Sequence, residues 1–369
     1  MTTSLATGRA RAWAWIAHLR SGGTTAWASW ESVGAVDAVG HGRYLPGAQQ
    51  LELLRRLNLA GHPSSALVER VIAASAPGRG RPDLELVGVD AERRFGPPAV
   101  DPATLPDEEL LRVVSGLLAA VLVERRERAV ESAGSQHVRV TRRFRTRYQL
   151  AGDPWLTAAY TRELVADGRP PGGAGRAVHV LGADVATLLA HTWAAGAFGA
   201  GGPSWPDFLA RVRARRRLPR RVDLPGVVER FLARPHTGRV GVVLDLAALP
   251  KLVGVRRLVP VPDPAAHAVE LARQVGVALS LHVLPEEQSA LLTGALWPRL
   301  TRVAGVLPAV PPEHRDWVED TAFGLRQRLL HGGYPVVGDP DVVLPRFAER
   351  ETASVLDLAI ELLLEEEAP

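Results

Sequence analysis

The chain has 369 residues, enough for about two domains, each with its own core. Apolar residues make up 46% and charged residues 23%, which excludes disorder as its main state, and no apolar run approaches the roughly 18–20 residues that cross a bilayer. The net charge is only +4 although the pI is near 10.0, because 43 of the 44 basic residues are arginine, which stays charged to very high pH.

Lysine occurs once, at Lys251, and asparagine once, at Asn58, while alanine, glycine, arginine and proline abound. A GC-rich bacterial genome produces this bias, so arginine patches are discounted before they are read as nucleic-acid sites. The absence of cysteine excludes disulfides and thiolate metal sites. With no apolar leader followed by a small-residue cleavage site, the expectation is a cytoplasmic protein without a membrane partner.

Residues 1–135 read as a helical, loop-rich domain, and 136–369 as an α/β domain. Residues 10–19 place Trp13, Ile16 and Ala17 at helical spacing; 46–59 follow, stopping at Gly61, and 64–75 form a short third helix. Residues 76–102 are rich in glycine and proline and read as loop. The best helix begins after Pro106: Asp107, Glu108 and Glu109 suit the positive end of its dipole, and Leu110, Val113, Val114, Leu117, Leu118 and Val121 form one apolar face.

From about residue 138 the rhythm becomes strand, helix, strand, helix. Strands are expected at 145–152 (RTRYQLAG), 177–182 (AVHVLG), 240–246 (VGVVLDL), 279–284 and, as an edge strand containing Pro335, 334–338. Helices are expected over 154–167, over the Val185, Leu188, Leu189, Thr192, Trp193 series, before Gly332-Gly333, and over 354–364. This alternation predicts an α/β layer fold with a mainly parallel sheet.

Few constellations carry chemistry. Residues 20–25 (RSGGTT) look like a phosphate-cradling turn, but helical spacing precedes them and no lysine or arginine occupies the usual place inside the loop, so they read as a turn between helices. Residues 211–221 (RVRARRRLPRR) hold seven arginines; Arg215, Arg216 and Arg217 are anion-binding candidates, although no aromatic side chain interleaves them, which argues against nucleic acid. Arg139, Arg143, Arg145 and Arg147 alternate along an expected strand. The eleven histidines form no HExxH or other metal-ligand spacing, and no GxSxG elbow occurs, so neither a metal nor a serine triad is expected.

Residues 145–345 resemble the bacterial sulfotransferase-like family, whose members transfer sulfate from the nucleotide donor PAPS. In that family a strand enters a turn of the form G-x-P-K-x-G-T-T that holds the donor's phosphosulfate. The matching residues are Gly152-Asp153-Pro154-Trp155-Leu156-Thr157-Ala158-Ala159: Gly152 and Pro154 match, while Trp155, Thr157 and the two alanines replace lysine, glycine and the threonine pair. The second family signature is a strand ending in Arg-Asp, with a phosphate-binding serine eight residues after the arginine and a tryptophan two further on. Here Ala183-Asp184, His191 and Trp193 stand at those places. Residues 202–209 (GPSWPDFL), 239–244 and 317–345 resemble the family's aromatic loop, a core strand and its closing helix and strand.

The resemblance implies a three-layer, P-loop-like fold whose donor site, over Gly152, Pro154, Trp155, Thr157, Ala183, Asp184 and His191, is degenerate. Losing one charge-stabilising group costs roughly 10²–10³ in rate, so losing several implies a protein that binds, for instance as partner of an active sulfotransferase, without a cofactor of its own. Two alternatives stay open. One is an active PAPS-dependent enzyme in which arginines of 139–147 or 211–221 replace the lost ligands, with His191 or Asp153 as base. The other is an anion or nucleic-acid binder on residues 211–221.

Overall fold

The computed structural model describes residues 2–31, 45–74, 83–89, 97–132, 148–173, 175–235, 237–347 and 353–366. The expected arginine face at 139, 143, 145 and 147 lies outside them. By its contacts the chain divides into two units: Met1–Glu131 with Gln274–Leu291 and Ser354–Pro369, and Ser132–Arg273 with Leu292–Ala353.

The first unit is helical. Helix α1 spans Thr2–Arg20, and the RSGGTT segment is the turn that ends it, with the Gly23 amide donating to His18 O. Helices α2 (Ala48–Ala60), α3 (Ser65–Ala73) and α4 (Asp107–Ser132) follow. α2 ends at Gly61, which is in extended rather than left-handed conformation. The core holds Trp15, Trp27, Leu51, Leu54 and the apolar face of α4, and the rings of Trp15 and Trp27 lie 5.3 Å apart.

The second unit is built on four parallel strands. Strand β1 (Tyr148–Gly152) runs into helix α5 (Pro154–Ala166), and β2 (Ala177–Leu181) into α6 (Val185–Ala200). Helices α7 (Trp205–Ala214) and α8 (Leu224–Leu232) precede β3 (Val240–Val243), which is followed by the short helix α9 (Leu249–Val253). Helix α10 (Ala266–Leu279) begins in this unit and ends in the first, to which α11 (Pro285–Leu291) also belongs; a π-helical turn at Leu292–Leu296 then leads to α12 (Trp297–Leu300) in the second. Helix α13 (Pro312–His331) and strand β4 (Val336–Val337) complete the second unit, and helix α14 (Val355–Glu366) belongs to the first. α14 packs on α2 in the first unit.

The sheet order is β1-β2-β3-β4, all parallel, with Gly152 opposite Leu181, Val180 opposite Val242, and Val243 opposite Val337. Val178, Val180 and Val242 are fully buried, as near-continuous apolar strands demand when both faces are covered. Among the described residues the order never reverses. It therefore has no topological switch point, the place where open α/β sheets commonly bind nucleotides.

The strand expected at 279–284 is not formed. α10 continues through Leu279 and closes in a turn, with the Val283 amide donating to Leu279 O, because a short apolar run suits a buried helix end as well as a strand. Among the described residues no helix is long and apolar enough to cross a membrane.

Candidate functional site at the carboxyl end of the sheet

The β1–α5 junction is one residue long. Gly152 ends the strand, Asp153 caps the helix, and Pro154 already occupies its first turn, where a missing N–H costs nothing. Gly152 has φ +91°, and a Cβ there would lie 2.2 Å from Leu181 O, so the tight turn requires glycine. Asp153 Oδ1 accepts from the amides of Trp155 (2.9 Å) and Leu156 (3.0 Å). The free N–H groups that make a helix start an anion site are thus taken by the chain's own carboxylate.

The other oxygen of Asp153 faces α6. Oδ2 lies 2.6 Å from Nδ1 of His191, and His191 Nε2 lies 3.2 Å from Oδ1 of Asp263. Asp153 and His191 are buried, whereas Asp263 is 56% exposed. Burial opposes charge on the imidazole, but the Asp153 charge and hydrogen bond, helped by Asp263, override it and push the His191 pKa up to about 9. The ring is therefore an imidazolium donating from both nitrogens at neutral pH.

The two sequence candidates for a base, Asp153 and His191, are thus brought together and spent on each other. Asp263 was missed; nothing in its neighbourhood in sequence ties it to either.

Trp155 packs against other rings. Its indole is 1% exposed, lies 4.0 Å from the Trp297 ring and 5.9 Å from Phe198, and donates from Nε1 to Pro262 O at 3.1 Å. Thr157 uses its hydroxyl on Ala151 O. Asp184 caps α6, accepting from the Thr187 amide and hydroxyl, with Ala183 just before it. Trp193 and Trp205 lie 5.5 Å apart in the core.

The same device recurs after the remaining strands. Asp245, after β3, accepts from the Ala247 amide, and Asp339, after β4, from the Asp341 amide. Each of the four described strands is followed within three residues by an aspartate that caps the next turn or helix. The carboxyl edge of the sheet therefore presents carboxylates where a phosphate-binding α/β site presents free amides.

A cavity of about 700 Å³ opens beside the junction, with Gly152, Pro154 and Thr157 on one wall and Arg162, Arg221 and Arg230 on others. The Arg162 guanidinium lies 4.8 Å from the Trp297 ring centre, and burial lowers its pKa. Of the anion candidates in 211–221, Arg215 is the C-cap of α7, and Arg216 and Arg217 line a separate cavity with α13. Arg162 and Arg230 carried no sequence signal beyond their charge.

Compared with protein-family models, curated proteins and solved structures, the chain matches none of them.

Proposed function

We propose that the α/β unit is a sulfotransferase-like scaffold that binds without transferring sulfate. The observation carrying this reading is the Asp153 carboxylate, which fills the start of α5 and engages His191. A donor phosphosulfate needs those amides and a nearby cation, and both are already committed to Asp153. The buried Trp155 and the aspartates at the ends of the other three strands point the same way. Binding, for instance to an active relative, is then the scaffold's role.

A second reading has one observation in its favour. Arg162, Arg221 and Arg230 reach the cavity beside the junction, where they could hold phosphate oxygens in place of the lost ligands. Turnover separates the two. With labelled PAPS and a panel of phenol and alcohol acceptors, the full chain is expected to give neither sulfated product nor donor hydrolysis above background. Sulfate transfer that disappears in Arg162→Ala would overturn the binding reading.

A further inference from the structure

Helix α7 ends in a way its sequence does not favour. Arg215 caps it, the Arg216 amide donates to Arg213 O at 3.0 Å, and Arg216 has φ +49°. That left-handed position after a helix is where glycine is commonest, because a Cβ there meets the following carbonyl. Arg216 is the one non-glycine residue with positive φ among the described residues. In a chain with 35 glycines, an arginine at this position is something the helix end does not ask for.

What the side chain gains is a cavity of about 590 Å³ between the α7–α8 connection and α13. Arg216, Arg217, Arg220 and Arg230 line it together with Trp317 and Thr321. Arg328 and Asp223, paired at 2.9 Å, also line it, and Asp320 is its second carboxylate. The guanidiniums of Arg216, Arg217 and Arg220 have no carboxylate within 4.0 Å among the described residues. The Trp317 ring is half-buried and has no ring neighbour among them. Codon bias explains many arginines in this chain, but it does not explain one held in a left-handed conformation on a cavity that also holds an unstacked indole.

We infer that this cavity binds a nucleoside phosphate. Unpaired guanidiniums present forked N–H groups that match phosphate oxygens. The indole offers a face on which a base can stack, and the Thr321 hydroxyl, which donates to Trp317 O at 2.7 Å, keeps its lone pairs to accept from a ligand. The volume is that of a small-molecule site rather than of a track for a polymer. The site is separate from the β1–α5 junction and shares with the cavity there only Arg230, so it does not depend on whether the chain transfers sulfate.

The test is calorimetric binding to the full chain with ADP, pyrophosphate and adenosine as probes. ADP is expected to bind, pyrophosphate more weakly, and adenosine more weakly still. Arg216→Gly relieves the backbone and is expected to raise the melting temperature while weakening ADP at least about tenfold. Trp317→Leu is expected to weaken ADP and leave pyrophosphate unchanged. The inference is overturned if ADP fails to bind at millimolar concentration, if Arg216→Gly binds ADP as tightly as the parent, or if a single-stranded oligonucleotide displaces ADP at lower concentration than ADP itself binds. Because the readout is binding and not turnover, its failure is distinct from failure of the proposed lack of transfer.

Discussion

The Asp153 carboxylate and the His191 imidazole, 38 residues apart in the chain, meet at 2.6 Å inside the α/β unit. One carboxylate thereby fixes two elements: Oδ1 holds the start of α5 and Oδ2 holds α6 through His191. Two groups of a kind that could act as acid and base are locked in a buried pair instead. What favours the pair thermodynamically also removes it from chemistry, since a proton on His191 is held by two carboxylates rather than offered to a substrate.

That pair makes stability depend on pH with a definite sign. The folded His191 pKa, about 9, lies above its ordinary value of 6.5. Its contribution is therefore complete below about pH 6.5 and is lost as pH rises toward 9. A shift of this size corresponds to stability on the order of 3 kcal/mol. Urea unfolding across that range is expected to show stability falling with pH in the parent chain and a flatter profile in His191→Gln. An equal slope in both would assign the effect to other groups.

Gly152 and Gly168 both take positive φ, but only one is crowded. At Gly152 a Cβ meets Leu181 O at 2.2 Å; at Gly168, with φ +72°, nothing lies within 4 Å. Gly168→Ala is expected to cost about 1 kcal/mol, the left-handed penalty alone. Gly152→Ala adds a backbone clash and is expected to cost about 2–5 kcal/mol. The comparison is read from denaturation midpoints, and similar losses at both sites would show that the junction relaxes.

The elements that position the junction could be read from the chain because their signals are local. Continuous β-branched runs mark β2 and β3, and the spacing of Val185, Leu188, Leu189 and Trp193 marks α6. The failure at 279–284 came from a short apolar run that periodicity does not classify. The Asp153–His191 contact and the Trp155–Trp297 stack join residues distant in sequence, and no pattern links them before the fold exists. One signal was visible and unused: aspartate follows the strands at 153, 184, 245 and 339.

Glu52 is a buried charge in the first unit with two partners on its own helix. Its side chain is 1% exposed and contacts Arg55 Nη2 at 2.7 Å and Arg56 Nε at 3.2 Å. The hydrogen bond from Arg55 to Glu52 raises the arginine's pKa further. Both arginines are partly exposed, so they can turn to water when the carboxylate is lost. Glu52→Gln is therefore expected to cost about 2 kcal/mol, less than a fully enclosed pair would. Thermal or urea unfolding monitored by helix signal checks this, and a neutral result would mean that the arginines and the new amide satisfy one another.

Trp155 decides between a lost site and one awaiting its lysine. If a single residue blocks donor binding, Trp155→Lys should restore it. The packing argues otherwise, because position 155 sends its side chain against Trp297 and Phe198 and toward Pro262 O rather than out past the start of α5. A lysine there would leave a cavity among the rings and bring an ammonium into an apolar setting, both unfavourable. Trp155→Ala is expected to cost about 3–5 kcal/mol. Trp155→Lys is expected to cost at least as much and to gain no affinity for PAPS at the junction. Since Asp153 still occupies the helix start in that variant, restored binding would require Asp153 to give up both amides and His191. PAPS affinity gained by Trp155→Lys, persisting when Arg216→Gly is added to exclude the cavity beside α13, would show that the junction can still open to a phosphosulfate.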